Sequence, residues 1–229
     1  SIAPQSSIPQ IISPELQAPY TIQGTIGVER QLPYNLNIAG FYVWSRNLHT
    51  LRSRNINAPV CPPGTVCPID NPAALQALRP NPALGNIYQY ESSGISKQQQ
   101  FIFNFRANVN PNLSFFGNYR LSFSEGDADG AGSFPAYSYD LDGEYGRTGF
   151  DSRHNFRFGG NIGMPWGIRL NPFIIANSGR PFNIITGRDT NGDSVFTERP
   201  TFLALNQACV ANGLNYSFCD ISGVSDPNR

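Results

Sequence analysis

The segment from residue 153 to residue 199 constrains the fold most, because its hydrophobic residues alternate on both sides of a tight turn. Before the turn at 164–167, every second position is apolar or glycine: Phe156, Phe158, Gly160 and Ile162. After the turn, the alternation resumes at Ile168. A period of two residues is typical of a strand with one apolar and one polar face. The segment therefore predicts an antiparallel hairpin.

The same alternation recurs in the segments 21–31 and 113–123 and at the end of the pass 86–108, from Phe101 onward, and the segment 36–44 is rich in the aromatic and β-branched residues that favour a strand. At one end, short connections containing Pro33, Pro111 and Pro165 join neighbouring segments. At the other end the connections are long, at 47–85 and 124–152. Alternating short and long connections are typical of outer-membrane barrels. We therefore predict an all-β fold, an antiparallel up-and-down β-barrel or a strongly curved sheet of about six to eight strands with long loops.

The first long connection also contains a helix signal. Asn71 is suited to cap a helix, Pro72 suits the first helical position, and Pro80 would end it. These residues predict a short helix within the loop.

The charge balance argues against nucleic acid as a partner. The chain has 16 basic and 16 acidic residues, so it lacks the positive field that attracts phosphates. No stretch approaches the ~18 apolar residues of a membrane-spanning helix, so any insertion into a membrane would have to use a β-barrel.

The composition divides the chain into three expected parts. Residues 1–19 are rich in proline and predict an extended arm, in which Ile8, Ile11 and Ile12 are candidates for contact with a sheet edge. Residues 20–200 are the barrel-like domain, and residues 201–229 are expected to be a loop segment. The first residues lack the pattern of a signal peptide, so we expect a mature chain or one cut from a longer protein.

The four cysteines form two close pairs, Cys61 with Cys67 and Cys209 with Cys219. Two local disulfides in an oxidising compartment are the favoured interpretation. Zinc is the alternative, but neither histidine, His49 or His154, lies at the spacing usual for structural zinc ligands.

An acidic segment after the hairpin is a candidate metal site. Oxygen-bearing side chains alternate there and recur downstream, at Asp189, Asn191, Asp193 and Glu198. This pattern resembles the start of a calcium loop, although Ser194 and Pro200 stand where the helix-loop-helix motif has glycine and glutamate. A solvated hairpin tip is the alternative interpretation. A second acidic group, Asp140, Asp142 and Glu144, is more typical of an exposed loop.

Catalytic patterns are weak. His154 has Asp151 nearby, but no strained serine turn of the kind used by hydrolases occurs in the sequence. We therefore expect a strand-end histidine that makes hydrogen bonds, and a protein that is not an enzyme.

Several segments together resemble the barrel of Oar-like TonB-dependent receptors. They are APYTIQ (18–23), VERQLP (28–33), LRSRNIN (51–57), DSRHNF (151–156), SGRPF (178–182), TGRDTNGD (186–193) and ERP (198–200). Such receptors have a plug domain, a short motif that engages TonB and a barrel of about 22 strands. We recognise neither of the first two in this sequence, nor that many strands, nor the final barrel strand that ends in an aromatic residue in such receptors. The resemblance therefore implies part of a receptor barrel, or barrel sequence used for another purpose.

Two functions follow. The first is a structural subunit that assembles with itself into an extracellular filament, by adding the arm with Ile8, Ile11 and Ile12 to a neighbour's sheet edge. The alternative is a segment of an outer-membrane TonB-dependent uptake barrel. A charged outer face would favour the filament, whereas a continuous apolar band, flanked by aromatic girdles, would favour the membrane.

Overall fold

The computed structural model describes residues 9–61 and 67–225. The strands are β1 (Gln10–Ile12), β2 (Tyr20–Leu32), β3 (Leu36–Asn55), β4 (Tyr88–Asn110), β5 (Leu113–Gly126), β6 (Gly146–Arg147), β7 (His154–Gly163), β8 (Arg169–Leu170) and β9 (Phe173–Asn177). The helices are α1 (Pro72–Ala77) and α2 (Phe202–Ala211), with single 3₁₀ turns at Pro165–Gly167 and Ser217–Cys219. Within these residues, no helix is long and apolar enough to cross a membrane.

The strands form one nine-stranded sheet in the order β2-β3-β4-β5-β7-β8. Neighbouring long strands are antiparallel, and β9 pairs with β7 beside β8. The sheet is not closed. The predicted all-β, antiparallel class is therefore confirmed, whereas the predicted count of six to eight strands is too low. The short strands β1, β6 and β8 account for the difference, since two or three residues give too little alternation to detect.

Strands β3 and β4 are longer than the alternation predicts, with 20 and 23 residues. The second half of β3 and the first half of β4, which pair with each other, are mostly polar, so little hydrophobic period marks them as strand. The β3–β4 register also shifts between Asn47 and Thr50, where His49 has φ 58°. These halves extend the ladder beyond the apolar part of the sheet.

The predicted short turns are confirmed. Tyr34 and Asn35 both have positive φ between β2 and β3, as the right-handed twist of a tight hairpin favours. Trp166 and Gly167 have positive φ in the turn after β7. The following strand is interrupted between β8 and β9, because Pro172 has no N–H to donate to the ladder.

The first predicted helix is confirmed as α1. The Asn71 Oδ1 accepts a hydrogen bond from the Ala74 N–H at 3.1 Å, and Pro72 is its first residue.

The C-terminal segment contains a helix, α2, where we expect a loop. Thr201 caps it by accepting from the Ala204 N–H at 3.1 Å. The sequence gives little signal because apolar residues surround the helix rather than following one face. The disulfide Cys209–Cys219 joins α2 to the 3₁₀ turn that follows.

The N-terminal arm pairs with its own chain. Strand β1 runs parallel to β4, with Gln10 opposite Tyr88 and Ile12 opposite Tyr90. Ile11 and Ile12 are exposed within the chain, and Ile8 lies outside the described residues, so contact of these residues with a neighbouring copy stays a prediction. Strand β1 thus covers an edge of β4 beyond the end of β5, which is a usual protection for a free edge.

The buried interior is polar. The most buried large side chains include Arg52, Asn55, Asp151 and Asp193, whereas many aromatic and aliphatic residues of the strands are exposed. This distribution is the reverse of that in an ordinary soluble domain. It places the closely packed part of the chain at the long-loop end of the sheet.

Candidate functional site

The strand register collects the apolar residues on one face of the sheet. We call this set the apolar band: Ile22, Ile26, Val28, Leu36, Ile38, Tyr42, Trp44, Phe101, Phe103, Phe105, Ala107, Phe115, Tyr119, Leu121, Phe123, Phe156, Phe158, Ile162, Ile174 and Ala176. Within it, Tyr42 pairs with Phe101, and Phe103 with Tyr119. The band is thus continuous from β2 to β9.

The height of the apolar band fits a membrane. Along β3 it extends from Leu36 to Trp44, a length at the lower end of the roughly 9–11 residues with which a tilted strand crosses a membrane. Barrel strands are tilted, and outer-membrane barrels have an apolar band about 25 Å tall. A row of charged register partners bounds it on the loop side: Arg46, Lys97, Glu125 and Arg147. Arg30, near the turn end of β2, is a charged exception that can reach the interface.

Exposed aromatic residues lie at both ends of the band. Tyr34 and Trp166 lie in the short turns, and Tyr20 and Trp44 lie near the charged row. Tyrosine and tryptophan side chains are enriched at both interfaces of membrane barrels. The aromatic girdles expected from the sequence therefore have the required positions.

The opposite face of the strands is mostly polar, although Phe41, Val43, Ile102, Phe116, Phe173 and Ile175 also lie on it. Its side chains include Gln23, Glu29, Asn37, Gln100, Asn104, Arg106, Asn118, Arg120 and Arg157. Among them, the Asn118 Nδ2 donates to the Asn104 Oδ1 at 2.6 Å. One apolar and one polar face is the pattern of a sheet with lipid on one side and water on the other.

At the loop end, the acidic segment folds into a cluster of carboxylates. Asp189, Asp193 and Glu198 place carboxylate oxygens within 4.8 Å of one another. Asp193 is 1% exposed and Glu198 is 6% exposed. Burial, together with the charges of Asp189 and Glu198, raises the pKa of Asp193 to about 6, although hydrogen bonds from the Val195 N–H and Asn191 oppose this rise.

Backbone groups hold these carboxylates in place. Asp189 accepts from the N–H groups of Gly192, Asp193 and Ser194, at 2.6, 3.2 and 2.8 Å. The Glu198 Oε1 accepts from the Thr190 N–H at 2.8 Å. The chain reverses through positive φ at Gly192 and Ser194. The sharp bend therefore brings Asp189 and Asp193 together.

The acidic segment packs on three other parts of the chain. The Asp193 carbonyl accepts from the Asn55 Nδ2 at 3.1 Å, and the Gly192 carbonyl accepts from the Arg79 Nη2 at 3.3 Å. The Asn191 Nδ2 donates to the Ala136 carbonyl at 3.1 Å. We call the combination of 67–87, 127–153 and 186–198 the outer loop cluster.

Comparison with known families decides which class of protein this is. The model of the outer membrane beta barrel domain family matches residues 1–227. The chain belongs to this family. Its location is therefore the outer membrane, as the alternative prediction states.

One solved structure is similar to this outer membrane β-barrel domain, the outer membrane transporter YddB from Escherichia coli. The identity is 13% and the TM-score 0.49, over 79% of this chain and 23% of the transporter. The chain thus spans about a quarter of the transporter's length. No curated protein matches the chain.

Membership of this family assigns the two faces of the sheet. In such barrels, lipid-facing and lumen-facing residues alternate, short turns lie on the periplasmic side and long loops lie outside the cell. The apolar band is then the lipid-facing surface, and the polar face lines the lumen. The outer loop cluster lies on the extracellular side.

The structure of this β-barrel domain brings some of the predicted site residues together and leaves others apart. It confirms both disulfides, Cys61–Cys67 and Cys209–Cys219. It brings Asp189, Asp193 and Glu198 together, but the side chain of Asn191 serves the loop instead, because its Oδ1 accepts from the Asp193 N–H at 2.9 Å.

The second acidic group does not assemble in the same way. The Asp140 Oδ1 accepts from the Asp142 N–H, and Glu144 forms an ion pair with Arg199 at 2.8 Å. Asp140 and Asp142 are exposed, whereas the Glu144 side chain is 9% exposed and its Oε1 accepts from the Ala136 N–H at 2.9 Å.

Sequence reasoning misses the polar residues that hold the outer loop cluster. The Asn55 side chain donates to Asn86 and Asp193 and accepts from the N–H groups of Asn57 and Ile87. Asn57 binds the loop backbone at Asn81, Leu84 and Gly85. Asparagine is also common in exposed turns, so neither residue stands out in the sequence.

Proposed function

We propose that this chain is a segment of the barrel of a TonB-dependent uptake receptor. The observation that carries the proposal is the continuous apolar band, combined with β3 and β4 strands that continue beyond it into an ordered cluster of long loops. A receptor needs a lipid-facing wall, a polar inner face and outer loops that contact a solute. The resemblance to Oar-like receptors favours a TonB-dependent receptor over other outer-membrane barrels.

The open sheet supports a segment within a larger barrel. In the described part of the chain, the outer edges of β2 and β9 have no strand partner. Free strand edges are unfavourable in lipid, where unpaired backbone groups cannot reach water. We propose that further strands of the receptor pair with both edges and complete the wall.

We propose no enzymatic role for this segment. The His154 Nδ1 lies 2.8 Å from the Tyr119 hydroxyl, and the backbone N–H of His154 donates to the Ser178 hydroxyl at 3.0 Å. Asp151, the other member of the weak catalytic pattern, is bound by Arg147 and Arg153 instead. The catalytic arrangement that His154 suggests thus finds no support in the contacts of these residues.

The filament predicted first from the sequence has no supporting observation. Strand β1 pairs with β4 of the same chain, so strand exchange would first have to break this pairing. The continuous apolar band also favours the membrane alternative. Assembly with a second copy through Ile11 and Ile12 stays a prediction.

A labelling experiment tests the proposed orientation in the full-length protein in cells. Tyr34→Cys lies in a short turn and Asp142→Cys lies in a long loop, and both positions are exposed. A membrane-impermeant maleimide should label Asp142→Cys in intact cells and Tyr34→Cys only after the outer membrane is permeabilised. The reverse pattern would contradict the assignment of the loops.

A capture experiment tests the uptake class. The detergent-solubilised full-length protein should bind an immobilised C-terminal domain of TonB, and free TonB domain should compete for this binding. If the protein is labelled as expected but the TonB domain does not capture it, the protein is an outer-membrane barrel that does not depend on TonB. The labelling experiment therefore tests the orientation of the barrel, and the capture experiment tests whether the barrel belongs to a TonB-dependent receptor.

A further inference from the structure

We infer that Asp189, Asp193 and Glu198 bind a calcium ion that fastens the acidic segment to the outer loop cluster. This inference goes beyond uptake, because it concerns the stability of the loops whatever the barrel transports. It begins from the three carboxylates, whose oxygens lie within 4.8 Å of one another.

Among the described residues, no basic side chain forms an ion pair with the three carboxylates. The six ion pairs among the described residues use other acids: Asp127, Glu91, Glu125, Asp151 and Glu144. Arg79 reaches the segment, but its guanidinium donates to the oxygens of Asn57, Gln76, Asn86 and Gly192 rather than to a carboxylate. Close like charges that are withdrawn from water are unfavourable unless an opposite charge offsets them.

A second observation points to a ligand. The Glu198 Oε2 is buried and has no hydrogen-bond donor in the described ranges 9–61 and 67–225. The other oxygen, Oε1, is already bound by the Thr190 N–H. A buried oxygen without a partner is costly and rare in native structures. In this position, beside Asp189 and Asp193, a bound cation would be its partner.

The donor set favours calcium among the common cations. All three side chains supply hard oxygen ligands, and the backbone has positive φ at Ser194, the position of the bend that glycine makes in calcium loops. Calcium accepts irregular arrangements of six to eight oxygens, whereas magnesium requires a nearly ideal octahedron and retains more water. Water and backbone carbonyls would complete the shell. Weak extracellular calcium sites bind at about 10⁻⁴–10⁻³ M.

The bound ion would hold the acidic segment against the neighbouring loops. The Asp193 and Gly192 carbonyls accept from Asn55 and Arg79, and the Asn191 side chain donates to Ala136. Neutralising the carboxylates would therefore stabilise contacts with the end of β3, the helix-bearing loop and the loop at 127–153 together. Calcium would hold the extracellular side of the lumen in one shape.

The test is a calcium titration of the detergent-solubilised full-length protein after chelation. Isothermal titration calorimetry should show a binding event that Asp193→Asn and Glu198→Gln each abolish. The matched control is Asp142→Asn, an exposed acid of the second acidic group, which should retain the event. Magnesium should bind at least tenfold more weakly.

Thermal unfolding distinguishes a cation ligand from a purely structural acid. Calcium should raise the melting temperature of the native protein by mass action. Without calcium, Glu198→Gln should melt higher than the native protein, because it removes one of the repelling charges; with calcium, it should melt lower.

Three outcomes would overturn the inference: no heat of binding and no calcium-dependent melting in the native protein, unchanged binding in Glu198→Gln, or loss of binding in Asp142→Asn alone. Circular dichroism should show that each variant retains its strand content. TonB capture is unaffected by any of these outcomes, so the receptor proposal is tested separately.

Discussion

The apolar band and the outer loop cluster are stabilised in opposite ways. In the band, aromatic and aliphatic side chains point away from the sheet, and lipid rather than a protein core covers them. In the outer loop cluster, buried side chains are polar, and their stability depends on complete pairing. One continuous ladder, β3 with β4, passes through both regions.

The comparison shows how the environment changes the role of one residue type. Arginine lies at the edge of the band, at Arg30 and Arg46, where its charge can reach water. Where β3 meets the outer loop cluster, Arg52 is 1% exposed and its Nη2 lies 2.7 Å from the Asp127 Oδ2. Arg30 and Arg46 can remain unpaired because water solvates their charge, whereas the buried Arg52 needs an ionic partner.

The largest expected effect breaks that buried ion pair. Asp127→Asn keeps an oxygen that can accept from the Ile95 N–H, but it leaves the Arg52 charge unpaired. Removing one partner of a buried pair costs about 3–5 kcal/mol. We expect a loss of this size in the free energy of unfolding, measured by denaturant titration in detergent.

The control for this prediction is an exposed ion pair at the boundary of the band. Lys97 and Glu125 are 3.1 Å apart, with side chains 54% and 42% exposed. Glu125→Gln should change the stability little, because water solvates both groups. Equal losses in Asp127→Asn and Glu125→Gln would contradict the distinction between the two regions.

The next effect tests which face contacts lipid. Phe103 lies within the apolar band, between Gly40 and Tyr119. A charge on the lipid face near the midplane costs about 2–4 kcal/mol. Phe103→Arg should therefore lower the free energy of unfolding from lipid vesicles by about this amount.

Gln100 provides the matched control, since it lies on the same strand with its side chain on the polar face. Gln100→Arg introduces the same side chain and should have little effect on unfolding from vesicles. If Gln100→Arg were the more damaging change, the lumen and lipid faces would have to be exchanged.

The apolar band could be predicted from the sequence because the alternation is visible within each strand by itself. Phe101, Phe103 and Phe105 alternate with polar residues, so period and face are visible without a partner strand. The short turns then indicated which strands follow one another as hairpins. The missing information was the pairing across strands that shows one face to be continuous.

The outer loop cluster was less accessible because its structure depends on distant contacts. The second half of β3 is polar on both faces, and Asn55 becomes buried only through loops far away in sequence, such as the one containing Asp193. The acidic spacing did locate Asp189, Asp193 and Glu198. It did not reveal that Asn191 would bind the backbone, since that depends on how the segment bends.

The smallest effect tests close packing within the band itself. A Cβ added at Gly117 would overlap the ring of Phe105, whereas one at Gly40 meets nothing within 4 Å. Overpacking costs about 1–3 kcal/mol in a rigid core, but a ring at a lipid surface can move aside. Gly117→Ala should therefore cost about 1 kcal/mol in vesicles, and Gly40→Ala should be nearly neutral. Equal values for the two variants would mean that lipid, rather than contact between neighbouring strands, sets the packing of the band.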